Sequence, residues 1–296
     1  MMRAALAAVA TVATMAAMLC LAVPAAAQVK PPAVAAQATE SRFAMVQMAD
    51  GRLLAPDIAR IVNHGELVVS MLSSDNPPFF SVNKKGELVG TDVDLAKLIA
   101  KELGVPVRFD RSAKTFDAVA EVVAAGQADL GISRLARTLK RGQMVHFSST
   151  YMRLGHALLI NRIRFAELAG DRPLAQVVRN FTGTIGVIAN SSWVEFGRRN
   201  FPNAQLVAFP TWAEVVNAAK TGQVVAAYRD EMEVLQYVNN DPSLALTLRT
   251  VTFNDLESPL SAMVGVRDLT LLSFVNEVIA QRADKPTVSS VLKSIK

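Results

Sequence analysis

From Pro56 onward the apolar positions switch repeatedly between short continuous runs and stripes of helical period, which predicts strands alternating with helices. Glu66 to Met71 is a short apolar run that empties into Ser73, Ser74, Asp75, Asn76, Pro77 and Pro78. That reads as a strand followed by a loop. Lys84-Lys85-Gly86 reads as a turn. Thr91 or Asp92 then caps a helix with Leu95, Leu98, Ile99 and Leu103 on its apolar face and Gly104 just past its end. Val105 to Phe109 is the next predicted strand. Thr115 caps a second helix, with Phe116, Val119, Ala120 and Val123 on one face and Gly126 closing it, and a strand from Ala128 to Ser133 follows. This alternation is that of a parallel α/β unit.

The pattern has an echo. Thr115-Phe116-x-x-Val119, closed by Gly126-Gln127, returns 96 residues later as Thr211-Trp212-x-x-Val215, closed by Gly222-Gln223. Thr caps and Gly stops are individually common. Their preserved order, with an aromatic anchor and a core Val between them, favours a duplicated architecture of two similar lobes with a cleft between. Ligands of open α/β sheets sit beyond the carboxyl ends of the strands. Ser133-Arg134 in the first lobe and Arg229-Asp230 in the second are therefore candidate site residues.

The amino terminus changes the picture of where the chain works. Arg3 is the only charge in residues 1–27, an apolar run extends from Ala4 to Val23, and Pro24 precedes Ala25-Ala26-Ala27. A basic start, an apolar stretch and a small-residue cleavage site together describe a cleavable secretory signal peptide, and hence a periplasmic protein. The run is long enough to be an anchor, but it is rich in Ala and Thr rather than Leu. Leu19 precedes Cys20 where a lipoprotein signal carries a small residue. Cys20 is the one cysteine of the chain, so the mature protein offers no disulfide and no thiol for chemistry. Residues 28–55, with Pro31-Pro32 and an Ala/Gln/Thr stretch to Thr39, read as a tether, with Met45, Val46 and Met48 available to pack on a lobe.

Charge is restrained. Lys and Arg number 31 against 26 Asp and Glu, a net charge of +5 of which the signal peptide holds one. Arg134, Arg137, Lys140 and Arg141 form the densest basic cluster, and no basic stripe interleaved with aromatics suggests nucleic acid. His64, His146 and His156 form no spaced cluster, and neither a Ser/His/Asp pattern nor a metal-ligand spacing appears. No cofactor or metal is expected.

Several stretches together carry a resemblance. They are Gly65-Glu66-Leu67-Val68-Val69, Pro77-Pro78-Phe79, the run Gly86-Glu87-Leu88-Val89-Gly90-Thr91-Asp92-Val93-Asp94-Leu95-Ala96, and Phe116-Asp117-Ala118-Val119. Thr138-Leu139-Lys140-Arg141 with Val145-His146-Phe147-Ser148-Ser149-Thr150-Tyr151 follow, then Gly186-Val187, Asn190-Ser191-Ser192 and Arg229-Asp230-Glu231. With them the chain resembles family 3 of the bacterial extracellular solute-binding proteins, the polar amino-acid binders of ABC importers. The resemblance implies an α/β fold, a two-lobe periplasmic-binding-protein clamshell of type II, each lobe a mostly parallel sheet flanked by helices. It places the first part of lobe one at 56–155, lobe two at 156–260, and the return crossover with the C-terminal part of lobe one at 261–296. The crossings would lie near Met152–Asn161 and Pro259–Val266, and a last helix would run from Leu269 to about Arg282. The implied function is capture of a polar amino acid or related small carboxylate by hinge closure, for delivery by a monomer to an inner-membrane ABC permease.

The same resemblance assigns roles. Arg141 matches the arginine that grips a ligand carboxylate, a task its planar and permanently charged fork suits. Asp230 matches the acid that receives the ligand ammonium, and it also stands where it could cap a helix over Glu231–Val238. Ser191 and Ser192 match the second-lobe loop whose hydroxyls and helix-start N–H groups meet the carboxylate. A capping role alone would explain these serines equally. Phe79 and Phe116 match aromatic positions near the pocket, and Asp75 and Asn76 lie in a contact loop that lacks the usual aromatic. Three departures stand out: Ala136 replaces a hydroxyl residue, Arg134 replaces a small one, and Arg229 directly precedes Asp230. With Arg134 and Arg229 turned inward the pocket would hold three arginines against Asp230 and favour an acidic ligand. If they instead paired with neighbours such as Asp129 or Glu231, that bias would vanish. The clamshell also resembles some periplasmic cyclohexadienyl dehydratases, for which Glu231 or Glu233 could serve as the acid, and a ligand-sensing subunit is a further alternative.

Overall fold

The computed structural model describes residues 44–283. The expected signal peptide, the expected tether up to residue 43 and the chain after residue 283 lie outside the described residues. Within the tether the described part is structured, contrary to expectation. Strands β1 (Val46–Gln47) and β2 (Leu53–Leu54) pair antiparallel, and Leu54 packs on the core beside α1 (Pro56–His64). The turn residues Asp50 and Arg52 form an ion pair that closes this hairpin.

The first lobe begins with β3 (Leu67–Leu72), every residue of which is buried, as a strand covered on both faces requires. A small antiparallel hairpin, β4 (Ser81–Val82) and β5 (Leu88–Val89), leads to α2 (Thr91–Leu103). Neither Thr91 nor Asp92 is its cap. Gly90 takes that place at φ 131°, and a Cβ there would overlap the Phe79 carbonyl, so the helix starts where only glycine fits. Asp92 is instead buried inside the first turn. The strand expected at Val105 to Phe109 is β6 (Val107–Ala113), shifted because Pro106 ends the turn after Gly104. Helix α3 (Phe116–Ala124) is capped by Thr115, whose Oγ1 accepts the Ala118 N–H at 3.1 Å. It leads to β7 (Leu130–Gly131), shorter than the expected strand. After a single 3-10 turn at Arg141–Gln143 comes β8 (Val145–Phe147).

The chain then crosses to a second sheet through β9 (Met152–Asn161). Helices α4 (Arg162–Ala169) and α5 (Leu174–Arg179) precede β10 (Thr184–Ile188), α6 (Ser192–Asn200) and β11 (Gln205–Phe209). Helix α7 (Trp212–Lys220) carries a complete capping box between Thr211 and Glu214 and feeds β12 (Ala226–Asp230). Helix α8 (Glu231–Asn240) follows at once, and β13 (Leu248–Leu260) runs back along β9. The return ends in β14 (Met263–Gly265) in the first sheet and α9 (Leu269–Gln281), which packs against α1 and α2. The two crossings are tied together: the Ser148 N–H meets the Ala262 carbonyl at 2.9 Å, and the Tyr151 N–H meets that of Leu260 at 3.0 Å.

The sheets share one plan. The first has the order β6-β3-β7-β14-β8 and the second β11-β10-β12-β9-β13. In each, three parallel strands are followed by two that alternate in direction. The echoed helices occupy equivalent places, α3 before β7 and α7 before β12. The positions leaving β7 and β12 therefore face one another, and the spacing that relates Thr115 to Thr211 also relates Arg134 to Asp230.

Candidate functional site

A narrow, partly open cavity lies where the lobes meet. Phe116, Arg134, Ala136 and Arg141 line it from the first lobe and Ser192, Trp193, Arg229 and Asp230 from the second, with Leu154, Ser258 and Leu260 at the crossing strands. A water molecule can be centred within only about 20 Å³ of it, room for about one water. The lobes are closed on each other around this space. The Leu139 N–H donates to the Glu195 carboxylate at 2.8 Å, and the Asp117 N–H donates to the Asn190 carbonyl at 3.1 Å.

Arg141 anchors one end and is 1% exposed. Its Nε donates to Asp117 Oδ1 at 3.0 Å and its Nη1 to the Ala136 carbonyl at 2.9 Å. Its Nη2 lies 2.9 Å from the same Asp117 oxygen in ion contact but makes no hydrogen bond. Burial pulls the Arg141 pKa down and Asp117 resists that pull. Burial in turn favours the neutral form of Asp117, yet Arg141 and Lys140 together hold its pKa below the ordinary value.

The other end is built from both lobes. Arg134 adopts φ 52°, a left-handed conformation uncommon outside glycine. Its backbone N–H donates to the buried Asp92 carboxylate. Its guanidinium lies 4.8 Å from the centre of the Phe79 ring. It reaches across the cleft, with Nη2 in ion contact with Asp230 Oδ2 and Nη1 donating to Glu233 Oε2 at 2.6 Å and to Asn76 Oδ1 at 2.7 Å. Burial opposes the charge of Arg134, but Asp230 and Glu233 outweigh it and raise the pKa. Arg229 stacks over Trp212 at 5.3 Å and shares Glu233 at 3.3 Å, while its Nε and Nη1 are buried without a hydrogen-bond partner. Burial works against the Glu233 carboxylate too, but Arg229 and Arg134 prevail and bring its pKa to about 2.

The cavity gathers most of the expected residues, in altered roles. Arg134 and Arg229 do turn inward, and their partners are Asp230 and Glu233 rather than Asp129 or Glu231; Asp129 pairs with Arg60. Asp230 also caps α8 through the Glu233 N–H at 2.9 Å, as the capping reading expected, and its other oxygen faces Arg134. Ser191 is the α6 cap, accepting from the Trp193 N–H and donating to the Ile188 carbonyl at 2.6 Å, and it stands outside the cavity wall. Ser192 is in the wall, as is Phe116. Phe79 lies beneath Arg134, not at the surface of the cavity. Asn76 is held by Arg134 behind the wall, and Asp75 pairs with Arg111 at 2.9 Å on the outer rim. Glu233 is doubly paired, with Arg134 and Arg229, which favours its ionised form. Glu231 packs against Gly155 of the crossing strand, away from the cavity lining.

Sequence reasoning missed several participants. Asp117 gave no sign of serving Arg141, and Trp193 was unremarked. Glu233 carried a usable signal, standing four residues after Arg229 at the start of a helix. His156 sits behind the cavity between the Tyr228 hydroxyl and Ser258 Oγ, the latter at 2.6 Å, with burial pushing its pKa down to about 4. Ser258 is positioned by that neutral imidazole, a contact between strands β9 and β13 that no local pattern announces.

Residues 68–293 match the model of the bacterial extracellular solute-binding proteins, family 3. The chain is 23% identical over 184 residues to the ABC transporter arginine-binding protein 1 of Escherichia coli (strain K12), covering 61% of this chain and 70% of that protein. A solved amino acid ABC transporter substrate-binding protein from Streptococcus pneumoniae, bound to L-arginine, superposes with a TM-score of 0.63 at 24% identity, over 80% of this chain and 96% of that one. An ancestral amino acid-binding protein described as a precursor of cyclohexadienyl dehydratase gives a TM-score of 0.62 at 24% identity, over 80% and 97%. At these identities the two structures establish the type II clamshell fold. Among the described residues no helix is long and apolar enough to cross a membrane.

Proposed function

The chain belongs to the bacterial extracellular solute-binding proteins of family 3, and from that premise we propose that it is a periplasmic receptor that delivers a small amino acid or related carboxylate to an ABC-type importer. The observation that carries this reading is Arg141. A guanidinium buried at a lobe interface, fixed through Nε by Asp117 and through Nη1 by the Ala136 carbonyl, with Nη2 making no hydrogen bond, is a preorganised carboxylate grip. Ser192 and the start of α6 approach the same cavity from the other lobe, so a bound carboxylate would be held by both halves.

Closure follows from that division. A ligand touching both lobes stabilises the closed form, and only this difference in affinity shifts the population. The paired crossings between Ser148–Tyr151 and Leu260–Ala262 are the hinge, and the contacts of Glu195 with the Leu139 and Lys140 N–H groups latch the far rim. The partner in this reading is an inner-membrane permease, and the signal-peptide pattern of residues 1–27 supports export to the periplasm. We assign 56–155 with 261–296 to the first lobe and 156–260 to the second. Calorimetric titration of the purified protein with amino acids and small organic acids tests the function. At least one should bind near the micromolar level, about −8 kcal/mol. Arg141→Ala, which leaves Asp117 paired to Lys140 at 2.7 Å, should weaken that binding about 100-fold, roughly 2.7 kcal/mol. Unchanged affinity in this variant overturns the assignment.

A further inference from the structure

The cavity wall has a marked asymmetry between donors and acceptors. Among its lining side chains the buried polar atoms that make no hydrogen bond are all guanidinium nitrogens: Arg134 Nη2, which is in ion contact with Asp230, Arg141 Nη2, 2.9 Å from Asp117, Arg229 Nε, 3.6 Å from Asp230, and Arg229 Nη1. The carboxylates facing them are already engaged by arginines. Asp230 gives Oδ1 to the Glu233 N–H and Oδ2 to Arg134. Glu233 gives Oε2 to both Arg134 and Arg229. A ligand ammonium entering this space would have to displace a guanidinium that both carboxylates already hold. A ligand carboxylate would find donors waiting at Arg141 and Arg229.

Building on the receptor reading above, we infer that Arg134 is an internal counter-cation that occupies the acidic half of the cleft, and that the protein selects small anions by their carboxylates, dicarboxylates above all, in place of cationic or zwitterionic amino acids. Three features fix Arg134 in this role. Its φ of 52° and the grip of Asp92 on its N–H turn the side chain out of the first lobe. The Phe79 ring beneath it and Asn76 beside it support the guanidinium from the same lobe. Its length then carries the charge to Asp230, the equivalent position of the second lobe. The side chain stands in for a ligand cation, so the protein supplies from its own chain the positive charge that Asp230 and Glu233 require. Closure around a carboxylate then adds only the partner that Arg141 and Arg229 lack. Arg134 is a specificity-determining residue, since its charge decides which sign of ligand completes the site.

The test is calorimetric titration at neutral pH of the wild type and of Arg134→Gly with succinate, L-glutamate, L-lysine and L-arginine. Glycine adopts φ 52° without strain, so the variant should fold, and its melting curve verifies this. The wild type should bind succinate or L-glutamate at least tenfold more tightly than either cationic amino acid. Arg134→Gly should reverse that order, because it releases Asp230 and Glu233 to a ligand cation. Arg134→Lys, which keeps the charge, should retain the preference for anions. A wild type that prefers L-arginine or L-lysine, or an Arg134→Gly variant with the order unchanged, overturns the inference while leaving solute binding intact. Absence of binding by both proteins across all four solutes counts against the receptor reading itself, and the inference falls with it.

Discussion

In the first lobe α3 runs from its Thr115 cap into β7, and the chain leaves the sheet at Arg134; in the second, α7 runs from Thr211 into β12, and the equivalent residue is Asp230. The frame is the same, and the charge it delivers to the cleft is opposite. The helices differ in a second way. Asp117, one residue into α3, is nearly buried and holds Arg141 within its own lobe, whereas the corresponding residue of α7 is Ala213. The first unit therefore contains a complete acid–base pair and also exports a cation, while the second presents an acid that is balanced only when the lobes meet. Duplicated architecture supplies facing positions; single substitutions at those positions decide whether a pair is permanent or exists only in the closed state.

The largest test of that distinction is Asp117→Asn. Because the Asp117–Arg141 pair lies within one lobe, opening the cleft does not replace the lost carboxylate. Leaving a buried arginine without its partner costs about 3–5 kcal/mol, and urea unfolding should show a loss of that size. A loss below about 1 kcal/mol would mean that water reaches Arg141 freely and that the first unit is not self-contained.

Asp92 supports the Arg134 turn, and its effect appears in pH. Burial pushes its pKa from 3.8 up to about 7, against the opposing pull of the Arg134 N–H, the Tyr151 hydroxyl and the charges of Arg134 and Arg282. The folded state thus binds a proton that the unfolded state has released between those values, so this stability is full below pH 3.8 and is lost as pH rises through about 7. His156 acts in the opposite sense: its pKa is depressed from 6.5 to about 4, so its contribution is present above 6.5 and lost as pH falls towards 4. The two offset each other in the wild type. In Asp92→Asn the His156 effect should stand alone, with stability in urea rising by about 2–3 kcal/mol from pH 4 to 6.5. Equal slopes in the wild type and the variant would show that Asp92 carries no such linkage, and a flat profile in the variant that His156 carries none.

How much of this was legible in the sequence follows the range of the interactions. Thr115, Thr211 and the Gly stops are local devices, and the structure uses them as the echo predicted. Arg141, Asp230 and the inward arginines could be found from the strand ends and the family pattern. Gly90 could not be distinguished from Thr91 as a cap, because its necessity comes from the Phe79 carbonyl pressed against it. Asp117 lies 24 residues from Arg141 and Glu233 lies 99 from Arg134, so the first pairing exists only once its lobe is folded and the second only once the two lobes have closed. Residues 46–54 looked like linker because four paired residues leave too short a pattern to read.

Asp230→Asn probes the pair that depends on closure. It removes the carboxylate facing Arg134 and Arg229, but the cleft can open and hydrate both guanidiniums. The loss of unfolding free energy is then limited by the cost of opening, about 1–2 kcal/mol, smaller than for Asp117→Asn. Small-angle scattering of the ligand-free variant should give a larger radius of gyration than the wild type. Equal radii together with a loss as large as that of Asp117→Asn would place Asp230 in the permanent class.

The smallest effects come from the caps, and they ask whether the two units are energetically as separate as they are structurally alike. Thr115→Ala and Thr211→Ala each remove one side-chain acceptor from a helix start, worth about 1 kcal/mol. Thr211 should cost a few tenths more, because its hydroxyl also donates to Glu214 Oε2, at 3.0 Å. The sites lie in different lobes with no shared partner, so the double variant should show the sum. If the lobes unfold together, either substitution moves one common urea transition. If they unfold separately, Thr115→Ala shifts one of two transitions and Thr211→Ala the other, and the Arg134–Asp230 bridge then couples the lobes too weakly to make them a single cooperative unit.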